Sequence, residues 1–295
     1  MISTRLSKIL TLLTLIFFSL SLKSQTLLKK NYLPPSQSET SIGSIHIIKN
    51  IRYGAIPEIA NDSISDRLLD LYLPPAKKPE KPLPVIVFIH GGGFTGGDKG
   101  LTELGINLAS EGFAVASINY TLTLKYKKAE GTSGAANMSQ GIPKNGFHPL
   151  LDEAIETASA DAILALGWIK ANSKKYNLDL NKVAISGGSA GAMTALYTTY
   201  VSDQKVIKIK AVIDLWGGLE NADLIKKGAA PLLIYHGDLD KLINVDFAYA
   251  LKKRMDEIGS TKSEIHIMEG KGHAQYNYIA KNKIQEITEF LKANL

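Results

Sequence analysis

The 295-residue chain contains no cysteine. That absence excludes a disulfide framework, a thiolate metal site, a cysteine nucleophile and a lipidated bacterial N-terminus, so covalent chemistry here must use another nucleophile. A strong charge of one sign is lacking too. The formal net charge is +6, but Arg5, Lys8 and Lys23 sit in an N-terminal leader, and without them 31 basic residues face 28 acidic ones. A balance near +3 with no Lys/Arg stripe gives no reason to expect a polyanion, and nucleic acid is not an expected partner. No repeat period is visible, and no second domain. What is present, 45% hydrophobic and 21% charged residues with 25 glycines, is an ordinary globular composition long enough for one large core.

Residues 1–8 carry two positive charges and no acid, and residues 9–22 contain only apolar, Ser and Thr side chains. This is the pattern of a secretory signal peptide. Fourteen residues make a helix of roughly 21 Å, short of the roughly 30 Å hydrocarbon core, which favours a cleaved leader over an anchor or a buried N-terminal helix. Cleavage is expected near Ser24 and Gln25. No second long apolar run follows, so the expectation is an exported protein, periplasmic or secreted, with no stable membrane span after processing. The domain reading is a signal peptide over 1–24, an N-terminal extension over 25–44, polar and loosely held, and one domain over 45–295.

Within that domain, residues 45–48 and 68–73 read as strands. Residues 74–84 hold five of the eleven prolines and form a solvated connection. Val85, Ile86, Val87, Phe88 and Ile89 are continuously apolar, as a strand buried on both faces of a parallel sheet requires. From there apolar strands alternate with amphipathic helices. Ile155, Ala158, Ala162, Leu166 and Ile169 recur at helical spacing, as do Ile284, Ile287 and Leu291. The regime is βαβ repetition, a three-layer α/β domain with a mostly parallel sheet. Residues 122–146, rich in Gly, Ser, Asn and Lys, interrupt it between a strand and the next helix, and are a candidate lid.

The strand ending at Ile89 opens into His90-Gly91-Gly92-Gly93-Phe94, whose glycines let backbone amides turn toward one spot, as in an oxyanion loop. Further on, the strand over 183–186 runs into Gly187-Gly188-Ser189-Ala190-Gly191 and then a helical stretch. This is a nucleophile elbow: the serine occupies a strained strand-to-helix turn, and only small residues two before and two after it avoid a clash. The Ala190 amide can join those of Gly92 and Gly93 in holding an oxyanion, with the helix dipole behind it. A serine hydroxyl needs a base, and the base an orienting carboxylate. Asp240 follows Ser189 by 51 residues and His273 follows Asp240 by 33, each in the loop after a strand. That placement obeys the rule that open α/β sheets build sites at the carboxyl ends of their strands.

With these motifs in place, the chain resembles an α/β-hydrolase-fold serine carboxylesterase, of the kind pairing a His-Gly-Gly-Gly oxyanion motif with a Gly-x-Ser-x-Gly elbow. The likeness runs from about residue 45 to residue 295. Leu71-Tyr72-Leu73-Pro74, the run from His90 to Lys99 and Gly188-Ser189-Ala190-Gly191 look like exported esterases, including those acting on acetyl or feruloyl groups of plant polysaccharides. The resemblance implies Ser189 as nucleophile, His273 as base, Asp240 as orienter, and Gly92, Gly93 and Ala190 as oxyanion donors. It implies a small-molecule or carbohydrate ester as substrate and no metal or cofactor. Asp238 stands two residues before Asp240 as the competing acid.

Other features read more plainly. Gly91-Gly92-Gly93-Phe94-Thr95-Gly96 satisfies a dinucleotide-binding spacing, but the following strand ends in Asn119-Tyr120 where a ribose-binding acid is required. His236 reads as structural, His148 as a loop residue facing water, and Asp98 as a helix cap or an ion-pair partner. Trp216 and Phe94 are either acyl-pocket walls or ordinary core. The reaction expected is two-step acyl transfer on short-acyl carboxylic esters. An exported serine peptidase of the same fold is the nearest alternative, and a non-catalytic binding module the one from another class.

Overall fold

The computed structural model describes residues 32–75, 81–100 and 103–295. The leader over 1–24 and the centre of the proline-rich connection lie outside the described residues. Nine described strands form one sheet in the order β1-β2-β3-β5-β4-β6-β7-β8-β9. They are β1 (Ser38–Ile42), β2 (Ile45–Arg52), β3 (Leu68–Leu73), β4 (Leu83–Ile89), β5 (Ala114–Ile118), β6 (Leu178–Gly188), β7 (Ala211–Leu215), β8 (Leu232–Gly237) and β9 (Glu264–Met268). The first three strands pair antiparallel, and β3 joins β5 antiparallel. Every pairing from β5 through β4, β6, β7 and β8 to β9 is parallel. The α/β architecture with a mostly parallel sheet is the one the alternating pattern indicates.

Helices cover both faces because the central strands are apolar on both. Along β4, Val85, Val87 and Ile89 enter one core and Ile86 and Phe88 the other. Against the first core pack α4 (Pro149–Tyr176), α5 (Ala190–Tyr200) and α6 (Asp246–Glu257); against the second pack α1 (Glu103–Ser110), α7 (Tyr276–Asn282) and α8 (Ile284–Asn294). Helix α4 buries Ile155, Ala158, Ala162, Leu166 and Ile169, the stripe spaced three or four apart. His148 caps its start by accepting a hydrogen bond from the Leu150 amide at 3.1 Å, with Pro149 in the first turn, and Asn177 in the left-handed conformation ends it. His148 is thus a helix cap and not a water-facing loop residue.

Two expectations change. The fold begins inside the 25–44 extension, because Ser38–Ile42 is a strand paired along its length with β2; all five of its residues are exposed, so no apolar alternation marks it. The stripe Ile284, Ile287 and Leu291 lies in α8, which is separated from α7 at Lys283, where φ is −123°. Residues 122–146 are not a structureless loop. They hold α2 (Thr123–Tyr126) and α3 (Gly134–Met138) and are anchored by buried Leu122, Leu124 and Met138. The Leu124 amide donates to the Phe94 carbonyl at 3.1 Å and the Asn244 amide to the Met138 carbonyl at 3.0 Å. Ser133, Gly134 and Ala135 of this segment line the cavity at the carboxyl ends of the strands.

Candidate active site

Strand β6 ends at Gly188 and α5 starts at Ala190, leaving Ser189 at φ 55° and ψ −122° between them. A non-glycine residue is strained there and persists only where its surroundings hold it. They do so through glycines. A Cβ on Gly191 would stand 2.0 Å from the Ile89 carbonyl oxygen, and one on Gly187 2.4 Å from the Gly191 carbonyl. Small residues two before and two after the serine are therefore a packing requirement of the turn.

Ser189 Oγ lies 2.9 Å from His273 Nε2, and His273 Nδ1 lies 2.7 Å from Asp240 Oδ2. The carboxylate can only accept, so Nδ1 carries the proton and Nε2 is left to accept from the serine hydroxyl. Asp240 Oδ1 accepts from the Leu242 and Ile243 amides at 2.8 and 3.0 Å. Burial would raise the Asp240 carboxyl, but hydrogen bonds from His236, His273 and these two amides hold it well below the ordinary carboxylate range. Asp240 is buried, whereas Asp238 is exposed. Of the two aspartates, it is Asp240 that the fold brings to the histidine.

The oxyanion loop is built by backbone conformation. Gly92 and Gly93 both have positive φ, 118° and 61°, and the Thr95 and Gly96 amides donate back to the Gly92 carbonyl at 3.1 and 3.2 Å. Among the described residues, no acceptor pairs with the Gly92 or Gly93 amide. Ala190 opens α5, so its amide has no intrahelical partner. His90 shapes this loop: its ring stacks on Tyr120 at 4.6 Å between centroids and its Nδ1 donates to the Gly91 carbonyl at 2.7 Å. Burial pushes His90 down to about 4, so the ring is neutral. The far end of the loop is pinned by Lys99, buried between Asp70 at 3.5 Å and Asp98 at 3.7 Å. Asn119, hydrogen-bonded to Asp98 and to the Lys99 amide, is fully engaged in the same network.

Ser189, His273 and these loop residues line one cavity of about 650 Å³. From α3, α5 and the loop after Asp240 the cavity receives Ala135, Met193, Leu242 and Ile243, all apolar, and from α1 and α7 it receives Glu103, Leu104, Tyr276, Asn277 and Ala280. Phe94 and Trp216 are both buried and line the cavity, so each serves as core and wall together. Tyr276 escaped the sequence reading. Its hydroxyl is buried beside Gly91 and is pushed up to about 12 by burial, against a smaller pull from the Gly91 amide. A Cβ on Gly188 would stand 2.0 Å from that hydroxyl, and one on Gly91 3.0 Å. The second glycine before the serine was the available signal: it leaves room for a side chain from elsewhere. Among the described residues no group of three or more His, Asp or Glu side chains could hold a metal ion. No described helix is long and apolar enough to cross a membrane.

A family model described as phospholipase/carboxylesterase matches residues 75–295. Among curated proteins, the chain is 31% identical over 139 residues to the crystal protein of Dictyostelium discoideum, covering 46% of this chain and 21% of that one. It is 30% identical over 120 residues to esterase B1 of Culex pipiens, covering 40% and 19%. The chain thus spans about a fifth of the length of these relatives. Among solved structures, esterase 2 of Thermogutta terrifontis with butyrate bound superposes with a TM-score of 0.63 at 19% identity, covering 83% of this chain and 93% of that one. A truncated carbohydrate esterase from gut microbiota gives 0.58 at 18% identity, covering 88% and 98%. At such identities these two show a shared fold.

Proposed function

Because this chain belongs to the phospholipase/carboxylesterase family, we propose that it is an exported serine esterase hydrolysing short-acyl carboxylic esters, carbohydrate esters among them, through an acyl-enzyme. One observation carries the reading: an unbroken line from Ser189 Oγ through His273 to Asp240, opening on a cavity that Gly92, Gly93 and Ala190 also line. His273 Nε2 takes the proton as Ser189 Oγ bonds to the ester carbonyl carbon. The charge on the carbonyl oxygen is met by the Gly92, Gly93 and Ala190 amides. Collapse breaks the bond to the alcohol oxygen, which receives the proton from His273. Water then repeats the sequence on the acyl-serine and restores Ser189. Asp240 stays ionised throughout and holds the tautomer.

Support for a short acyl group on a hydroxylated alcohol comes from the mixed lining of the cavity: Met193, Leu242 and Ile243 suit an acyl chain, and Asp98, Glu103 and Asn277 offer hydrogen-bonding groups to an alcohol half. A structural neighbour named as a carbohydrate esterase points the same way. Export rests on the charged and apolar pattern of residues 1–22. The test is hydrolysis of p-nitrophenyl acetate, butyrate and octanoate, with Ser189→Ala alongside. Turnover is expected to fall by a factor on the order of 10⁶ in the variant, with acetate preferred. A loss below tenfold would sink the nucleophile assignment, and turnover of an aminoacyl amide but no ester would make the protein a peptidase.

A further inference from the structure

Helix α5 borders a second cavity as well as the catalytic one. In its first turn Ala190 and Met193 line the catalytic cavity. Met193, Tyr197 and, just past the helix end, Val201 line a cavity of about 40 Å³, whose further apolar walls are Phe147, Ile155 and Leu219. Met193 is the one described residue that lines both. Residues four apart share a helix face, so Met193, Tyr197 and Val201 form a row. Along the helix axis Met193 comes about 6 Å after Ser189, and Tyr197 about 6 Å after Met193. An acetyl group is shorter than the first interval, and a dodecanoyl chain is longer than the two together.

Nothing in acyl transfer uses the thioether of Met193. The residue is 1% exposed and stands where the two cavities meet. Gly218, which lines the second cavity, links it to the catalytic one by a second route. A Cβ on Gly218 would stand 2.7 Å from the Phe247 ring and 2.9 Å from Met138 Cε. Met138 ends α3, the helix whose Gly134 and Ala135 line the catalytic cavity, so the second cavity abuts that helix. Asp152 and Glu220, both half-buried, supply the carboxylates of the second cavity, and Glu220 Oε1 accepts from the Phe147 amide at 2.7 Å. No Lys or Arg lines it among the described residues. A chain ending in a methyl group therefore suits it, and one ending in a carboxylate does not.

We propose that Met193 is the specificity-determining residue that ends the acyl site, and that the cavity behind it continues that site for the distal methylenes of a longer, uncharged acyl chain. The inference rests on the serine-esterase reading of the site. With the Met193 side chain in place, the acyl group is confined to the catalytic cavity and short chains are favoured. With its Cγ, Sδ and Cε withdrawn, a chain bound at Ser189 runs along α5 into the space between Phe147, Ile155 and Leu219.

The experiment compares kcat/KM on p-nitrophenyl dodecanoate and p-nitrophenyl butyrate in the wild type, in Met193→Ala, and in Met193→Ala combined with Val201→Trp. Each methylene moved from water into an apolar site is worth roughly fourfold, so the dodecanoate-to-butyrate ratio is expected to rise by about tenfold or more in Met193→Ala. Val201 lines the second cavity and not the catalytic one, so tryptophan there fills only the continuation, and the ratio is expected to return to the wild-type value. A ratio that Met193→Ala leaves unmoved overturns the inference. So does a raised ratio that the added tryptophan leaves raised, because the chain then lies elsewhere. If Met193→Ala does not fold, the same ratio in Met193→Val decides, and Leu219→Phe serves where Val201→Trp does not fold. A wild type that hydrolyses neither ester overturns the esterase reading, and this inference with it, whereas butyrate turnover with an unmoved ratio overturns this inference alone.

Discussion

Replacing Gly191 by alanine tests how closely the oxyanion loop and the nucleophile are held together. Gly191 has no left-handed conformation to defend, so the whole effect is spatial. Its new Cβ would meet the Ile89 carbonyl oxygen at 2.0 Å and the His90 oxygen at 2.6 Å, where real Cβ contacts essentially never fall below 3.0 Å. Both obstacles are backbone and cannot rotate aside. The end of β4 and the start of α5 must therefore separate by ~1 Å, against the register that pairs Ile89 with Gly187. Gly92 and Gly93 travel with β4, whereas Ala190 travels with α5, so the three amides stop converging. A misplacement of this size costs on the order of 10²-fold in rate. Overpacking of this kind also destabilises by about 1–3 kcal/mol.

The assay is kcat and KM on p-nitrophenyl acetate beside a thermal melt. Gly191→Ala should lose its activity mainly in kcat, because the cavity walls that bind the ester are untouched. Gly96→Ala is the control. It lies in the same loop, a Cβ there meets nothing within 4 Å, and alanine keeps the amide that donates to the Gly92 carbonyl. Its kcat should match the wild type. A folded Gly191→Ala protein within threefold of wild-type kcat would refute the claim that this contact sets the oxyanion geometry.

Asp240→Asn should lower kcat by a factor on the order of 10⁴, since an amide no longer dictates the His273 tautomer, whereas exposed Asp238→Asn should leave it unchanged; equal losses would contradict the assignment. Asp240 also links stability to pH. Its folded-state value is depressed, so its contribution is present above the unfolded value and lost as pH falls toward the folded one, and Asp240→Asn should flatten that acid decline in melting temperature. Gly92→Ala combines a φ of 118° with a Cβ 2.2 Å from the Gly96 carbonyl oxygen, and a loss of about 10² to 10³ in kcat is expected, read on the same ester. A Cβ on Gly134 meets nothing within 4 Å, and the residue lines the cavity. Gly134→Leu should therefore depress octanoate turnover more than acetate turnover, and an unchanged ratio would mean that α3 does not bound the acyl site.

The legible parts of this chain were those whose cause is local. Five consecutive apolar residues from Val85 to Ile89, β-branched for the most part, read as a strand covered on both sides, and the glycine at 187 is demanded by Gly191 within the turn itself. Strand β1 was illegible because every residue of it is exposed and only pairing with β2 orders it. The segment over 122–146 reads as loose because its anchors are remote: Phe94 lies 30 residues before Leu124, and Asn244 more than 100 after Met138. Tyr276 and His236 carried no pattern of their own. Tyr276 meets the site only because helix α7 reaches back to Gly91 and Gly188, and His236 shares a face with Asp214 only because β7 and β8 are neighbours.

That neighbour relation explains why the three residues meet at all. Ser189 follows β6 and Asp240 follows β8, and β7, lying between them, contributes to neither. Two strand spacings of about 4.8 Å separate the nucleophile from the acid. One imidazole with hydrogen bonds of 2.9 and 2.7 Å bridges such a gap, and a direct contact would not. The end of β7 must then fill the space beneath the bridge, and it does so with Trp216, at φ 49°, edge-on to His273 with ring centroids 6.4 Å apart. The same strand places Asp214 on the face it shares with His236. The spacer strand thus sets the reach that only a histidine covers and supports that histidine from below.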